Sequence, residues 1–196
     1  MTDIQFYLAS QSPRRAELLS QIGFRFETLS VNCDESTLEY ENAIDYVKRL
    51  ALEKAKTGFA NLGRLQKEIR PVLGSDTAVV VENHILGKPK DYNHAVEMWD
   101  LLGGRKHRVL TGVALATERE CFSVVQTSVV EMRHLSAQEK EWYWNTQEPQ
   151  DKAGAYGIQG KAAIFIKEMS GSYSGIMGLP LYETCQLLEK AGIQVI

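Results

Sequence analysis

The sequence predicts an α/β protein built on a mixed sheet, and three observations carry that expectation. Short apolar runs alternate with segments of helical period along the whole chain, the pattern of interleaved strands and helices. Residues 6–22, FYLASQSPRRAELLSQI, place an apolar run, a small-residue turn and a helix start in one unbroken stretch. Residues 107–116 and 121–133 read as two long strands around the polar turn 117–120, and such a hairpin makes the sheet mixed.

In order, residues 6–9 are apolar enough for a buried strand. Ser10, Gln11 and Ser12 form the turn; Ser12 suits the N-cap and Pro13 the first helical position, where its missing N–H costs nothing. Leu18, Leu19 and Ile22 mark the buried face of this helix, and counting back along the same i, i+3, i+4, i+7 ladder reaches Arg15. Backbone N–H groups at a helix start attract anions, and two guanidinium groups beside them make a site for a polyphosphate or carboxylate. The other reading of Arg14 and Arg15 is a pair of solvated first-turn residues. The helix dipole disfavours cations at this end, so their charge makes more sense if an anion arrives there.

Gly23 caps this helix, residues 26–29 form a second strand, and the polar stretch 32–41 carries Cys33, Asp34 and Glu35. A long helix is expected over 42–59. With Val47 as origin and about 100° per residue, Ala43, Ile44, Leu50 and Ala51 share its face, and Lys54 falls about 20° from the centre. A lysine there either reaches a cleft or pairs with a carboxylate, because an unpaired buried ammonium costs several kcal/mol. Residues 72–74 and 78–81 are apolar, and between them lie Ser75, Asp76 and Thr77. Asp76 is the best acid in the chain, a carboxylate leaving a sheet into a site, with an Asx turn as the alternative. Asn83 and His84 turn a hairpin that returns to Lys88, held extended by Pro89. That makes Lys88, across the hairpin from Asp76, a candidate phosphate ligand.

Asp91 caps a helix over 92–102, ended by Gly103 and Gly104, and Ser136 with Glu139 forms a capping box for a helix through Trp144. Trp142 and Trp144 are read as packing residues. Residues 148–160, EPQDKAGAYGIQG, carry little regular pattern and enough glycine to bring backbone close to a ligand. A strand over 162–169, a small-residue loop over 171–178, a helix from Pro180 through Ala191 and an edge strand over 194–196 complete the reading.

The composition excludes several classes. With 196 residues the chain is long enough for a sizeable core and reads as one domain, 1–196. A net charge of −3 argues against a general nucleic-acid or membrane-surface binder, so any anion site must be local. There is no signal-peptide pattern and no apolar run long enough to span a membrane, which points to a cytoplasmic protein. Cys33, Cys121 and Cys185 lack CxxC spacing and fit reduced thiols, and His84, His94, His107 and His134 lack ligand spacing.

Several of these pieces resemble the motifs of one family: Leu8 to Arg15, Glu53-Lys54-Ala55, Gly74 to Thr77, Lys88-Pro89, Asp151 to Gly160 and Gly178-Leu179-Pro180. In order and over nearly the whole chain they resemble the Maf family of nucleoside triphosphate pyrophosphatases. The run Lys152 to Gly160 resembles the subgroup acting on dTTP and UTP, as distinct from the one preferring 7-methyl-GTP. The resemblance implies an elongated mixed α/β sheet with flanking helices and a central substrate cleft, of the Maf/ITPase-like type, in a homodimer. It implies cleavage between the α and β phosphates with a divalent cation, Mg²⁺ or Mn²⁺. By the same resemblance Asp76 is the catalytic acceptor of a proton from water. Arg14, Thr77 and Gln159 govern base choice, Arg15, Lys54 and Lys88 bind phosphate with Ser10 on the turn, and Glu35 joins Asp76 as a metal ligand.

The chemistry agrees with the residues. Arg14, Arg15, Lys54 and Lys88 offset most of the roughly four negative charges of a triphosphate, and fixed donors at Thr77 and Gln159 would reject a base that leaves them unpaired. Two other classes remain open: a nucleotidyltransferase, which attacks the same phosphorus with a second substrate, and a regulator that binds nucleotide without chemistry.

Overall fold

The computed structural model describes residues 4–194. Its elements are β1 Phe6–Ala9, α1 Pro13–Gln21, β2 Phe26–Thr28, α2 Ala43–Asn61, β3 Val72–Val81, β4 His84–Leu86, α3 Tyr92–Leu102, β5 Arg105–Ala116, β6 Cys121–Met132, α4 Ala137–Asn145, β7 Ile166–Ser170, α5 Tyr173–Ile176 and α6 Leu181–Lys190. The strands form one seven-stranded mixed sheet in the order β2-β1-β3-β5-β6-β7, with β4 on β3. β1 runs parallel to both β2 and β3, with Leu8 opposite Thr28 and Leu73. β4 on β3 and β7 on β6 are antiparallel.

The chain divides into two compact units. One takes the chain up to Asp76, Thr111–Gln126 and the chain from Gly178 onward; the other is Thr77–Leu110 with Thr127–Met177. In the first, Tyr7, Ala9, Leu29, Leu62 and Val72 pack together, and a small-residue cluster of Ala51, Ala55, Ala114 and Ala116 lies along α2. The small residues have a cause. A Cβ at Gly74 would lie 2.4 Å from the Ala51 carbonyl oxygen, and one at Gly112 would lie 2.3 Å from that of Val47. The helix backbone therefore rests directly on β3 and β5, closer than any side chain permits. The second unit has a larger aromatic core in which Trp99, Tyr143 and Phe165 are essentially inaccessible. Trp144 packs on Tyr92, as expected of a packing residue, whereas Trp142 meets Phe165 edge-on but is 46% exposed.

Several local expectations are corrected. Asp76 stands within a single continuous strand, not between two segments. Ser12 occupies the N-cap of α1, but its side chain makes no capping bond; instead Ser10 Oγ accepts the Ser12 N–H at 3.2 Å. Ile44, placed on the apolar face of α2, is 45% exposed, and that face runs Val47, Leu50, Ala51, Lys54, Ala55 and Gly58. The strand expected over 162–169 begins only at Ile166, after a 3-10 turn over Lys161–Phe165. Ala162 and Phe165 are buried while Ile164 is 61% exposed, a period of three and not two. The small-residue loop over 171–178 contains the one-turn helix α5, capped by Ser172 Oγ on the Gly175 N–H. Gln194 belongs to no strand, and the remainder of the expected edge strand lies outside the described residues.

Candidate active site

The site begins where β1 runs into α1. Ser10 Oγ accepts Arg15 Nη1 at 3.0 Å as well as the Ser12 N–H, so the hydroxyl's own proton points elsewhere. Arg15 Nε donates to the Gly178 carbonyl at 2.8 Å, and Ser75 Oγ donates to the same oxygen at 3.1 Å. Gly178 presents that carbonyl with φ at +114°, a conformation that favours glycine. Bonds from Nε and Nη1 together fix the plane of the Arg15 guanidinium. Burial pulls its pKa down, Asp76 and Glu35 partly offset this, and the neighbouring Arg14 adds to the depression. A cation held under those conditions gains from any anion that reaches it.

The second half of the site is a lysine between two carboxylates. Lys54 Nζ donates to Asp76 Oδ1 and to Glu35 Oε1, each at 2.7 Å. The packing of α2 on β3 brings them together. Gly74 and Asp76 are two residues apart and so face the same side of the strand. Gly74 sits against Ala51 and Ala55, and Lys54 follows Ala51 by about one turn of the same helix. Lys54 and Asp76 are each 11% exposed at the side chain, whereas Glu35 is 54% exposed. Burial pushes the Lys54 ammonium down, but Asp76 and Glu35 outweigh it and the net shift is upward. The inward lysine therefore pairs with carboxylates, one of the two outcomes the helical wheel left open.

Glu35 is held through its backbone. Tyr46 Oη donates to the Glu35 carbonyl at 2.9 Å, and burial together with Asp76 and Glu35 pushes that phenol up to about 12, so it stays a donor. Arg49 braces the same segment, gripping both carboxylate oxygens of Glu41 at 2.7 and 2.8 Å and the Ser36 carbonyl at 2.9 Å. Sequence reasoning missed Ser75, Tyr46 and Arg49 as supports; Ser75 and the glycine before Leu179-Pro180 lie within motifs, whereas Tyr46 and Arg49 carry no such signal.

Ser10, Arg15, Glu35, Lys54 and Asp76 are thus brought together, with Arg14 half-buried beside Arg15. Thr77, Lys88 and Gln159 belong to the other unit. Thr77 follows Asp76 in β3, Lys88 is exposed just after β4, and Gln159 is exposed in the glycine-rich loop. Among the described residues no three His, Cys, Asp or Glu side chains cluster as a complete metal cage. The Asp76 and Glu35 oxygens that converge do so on Lys54 Nζ, and as carboxylates they are the donor type that Mg²⁺ and Mn²⁺ take, commonly one or two with substrate phosphates completing the shell.

A model of the Maf family, described as Maf-like protein, matches residues 5–191. The chain belongs to the Maf family. A relative from Alkalilimnicola ehrlichii is 50% identical over 185 residues, 94% of this chain and 91% of its own. One from Pseudoalteromonas translucida is 52% identical over 93% of this chain and 95% of its own, and one from Pasteurella multocida is 44% identical over the whole of both. All three Maf relatives are named dTTP/UTP pyrophosphatase. The structure of the Staphylococcus aureus Ham1 protein is a remote likeness, with a TM-score of 0.44, 11% identity, and 65% of this chain and 71% of that one covered. Among the described residues no helix is long and apolar enough to cross a membrane.

Proposed function

We propose that this Maf protein hydrolyses nucleoside triphosphates between the α and β phosphates, with dTTP and UTP as preferred substrates, releasing the monophosphate and pyrophosphate. The observation that carries this reading is the buried Lys54, paired at 2.7 Å with Asp76 and Glu35 within a family whose relatives of 44–52% identity bear the name dTTP/UTP pyrophosphatase. Arg15, fixed by Ser10 and Gly178, offers its guanidinium to the phosphate chain, with Arg14 beside it. Lys54 adds a second fixed cation, and Lys88 serves as a further phosphate ligand. Asp76 orients the attacking water and takes its proton as the bond to α-phosphorus forms, while the cations stabilise the charge moving onto pyrophosphate. A divalent cation, Mg²⁺ or Mn²⁺, held by Asp76 and Glu35, would neutralise phosphate charge and polarise the phosphoryl group. Thr77, Gln159 and Arg14 select the base. We further propose a cytoplasmic homodimer that acts on free nucleotides and not on nucleic acid.

The test is pyrophosphate release from dTTP, UTP, CTP, GTP, ATP and 7-methyl-GTP, with and without Mg²⁺ or Mn²⁺, for the native chain and Asp76→Asn. We expect metal-dependent release led by dTTP and UTP, and a loss of about 10²-fold or more in the variant. Activity of the Asp76→Asn protein within a few-fold of native would remove Asp76 from the chemistry. A product other than the monophosphate on adding sugar phosphates would point to a transferase.

A further inference from the structure

We propose that Glu148, acting with Tyr143, is a positioning residue for base selection: it locks the loop that carries Gln159. The proposal rests on the reading of Gln159 and Lys88 as substrate-binding residues. The loop is glycine-rich and has no ladder of its own, yet side chains and one neighbouring backbone carbonyl tie it down at successive points. Trp99 Nε1 donates to the Ala155 carbonyl at 2.8 Å, and His107 Nε2 lies 2.7 Å from Tyr156 Oη. Tyr143 Oη accepts the Gly157 N–H at 3.1 Å and donates to Glu148 Oε1 at 2.8 Å. Glu148 Oε2 then accepts the Lys161 N–H at 2.8 Å, just beyond Gln159. The Gly154 N–H donates to the Gly87 carbonyl at 3.0 Å, so the same loop is tied to the segment bearing Lys88.

Trp99 and Tyr143 are essentially inaccessible and Tyr156 is buried, whereas Gln159 is exposed and contributes nothing to this anchoring. Its direction is therefore set from either side, by Gly157 on Tyr143 and by Lys161 on Glu148. Gly160 has the matching shape: a Cβ there would meet Glu148 Oε2 at 2.3 Å, so the carboxylate occupies the space a side chain would take. A group that only stabilised the fold would affect all nucleotides alike. One that aims Gln159 must affect the choice between them.

The experiment uses the full chain with Glu148→Gln and Tyr143→Phe, the second keeping the core ring and removing only Oη. In Glu148→Gln the amide nitrogen replaces either the oxygen that accepts the Lys161 N–H or the one that accepts Tyr143 Oη and the Ala162 N–H; either way the anchoring loses an acceptor. We measure kcat and KM for UTP and ATP, together with amide exchange over residues 155–161. The expected result is a fall of about tenfold in the UTP-to-ATP ratio of kcat/KM, mainly through KM for UTP, with faster exchange in the loop. An unchanged ratio in both variants overturns the proposal, whatever happens to their stability. Gln159→Ala separates the two readings. If it leaves the ratio intact while Glu148→Gln lowers it, Gln159 is not the selecting residue but the positioning role stands. If it alone lowers the ratio, the positioning role falls.

Discussion

Replacing Lys54 by Met removes the ammonium shared by Asp76 and Glu35 while keeping much of its aliphatic stem, and the loss is unequal between the two acids. Glu35 is 54% exposed at the side chain, so its bond contributes less than about 1 kcal/mol and water takes over when it is lost. Asp76 is 11% exposed and is only poorly rehydrated in place; breaking a buried pair this way costs about 3–5 kcal/mol. Both members of that pair retain slight access, and Arg15 still attracts Asp76, so we expect the lower end, about 3 kcal/mol. For a chain of 196 residues this is a fall in Tm of about 6–12 °C. Asp76→Asn should cost only about 1 kcal/mol, because Lys54 keeps Glu35 at 2.7 Å. Combining the two removes both buried charges and should recover about 2 kcal/mol of the Lys54→Met loss. Urea unfolding followed by circular dichroism at pH 7.5 measures all three. A Lys54→Met protein within about 0.5 kcal/mol of native, or a double variant no better than it, would refute the argument that Asp76 depends on this lysine.

Two further outcomes follow from the packing. His107 is buried and its pKa is held at about 4 by desolvation, against an ordinary 6.5, so between those values the unfolded chain binds more protons than the folded one. Stability should therefore fall as the pH drops through that window, by about 2 kcal/mol between pH 7.5 and 5, and His107→Gln should lose this component when urea unfolding is repeated at both values. Gly74→Ala would force a methyl group to within 2.4 Å of the Ala51 carbonyl and 2.6 Å of the Ala55 nitrogen. We expect a loss of about 3 kcal/mol in thermal unfolding, and a milder effect would show that α2 can lift off the sheet.

The parts legible in the sequence were those whose signal is local. Pro13 after Ser12, and Ser136 with Glu139, each mark a boundary within a few residues, and each marks one in the structure. Lys54 was legible because helical period alone puts it on the buried face; which acids receive it was not, since Glu35 and Asp76 come from a loop and from a strand. The turn at 161–165 was hidden because Ala162 and Phe165 read as apolar under either period. The anchoring of Gln159 was invisible for a different reason. Tyr143, Glu148 and Trp99 meet the loop through contacts that span up to 56 residues and leave no spacing to find.

Synthesis of the chain runs from the amino end, and so the Gly178 carbonyl has a consequence in time. Arg15 and Ser75 are made early, but the oxygen that fixes them follows 163 and 103 residues later. A growing chain can complete the strands and the helix that position Ser10, Lys54 and Asp76 and still lack this acceptor. The fixed orientation of Arg15 is thus among the last features of the site to form, so a nascent or prematurely terminated chain carries the charged residues without the geometry that would aim them at a nucleotide.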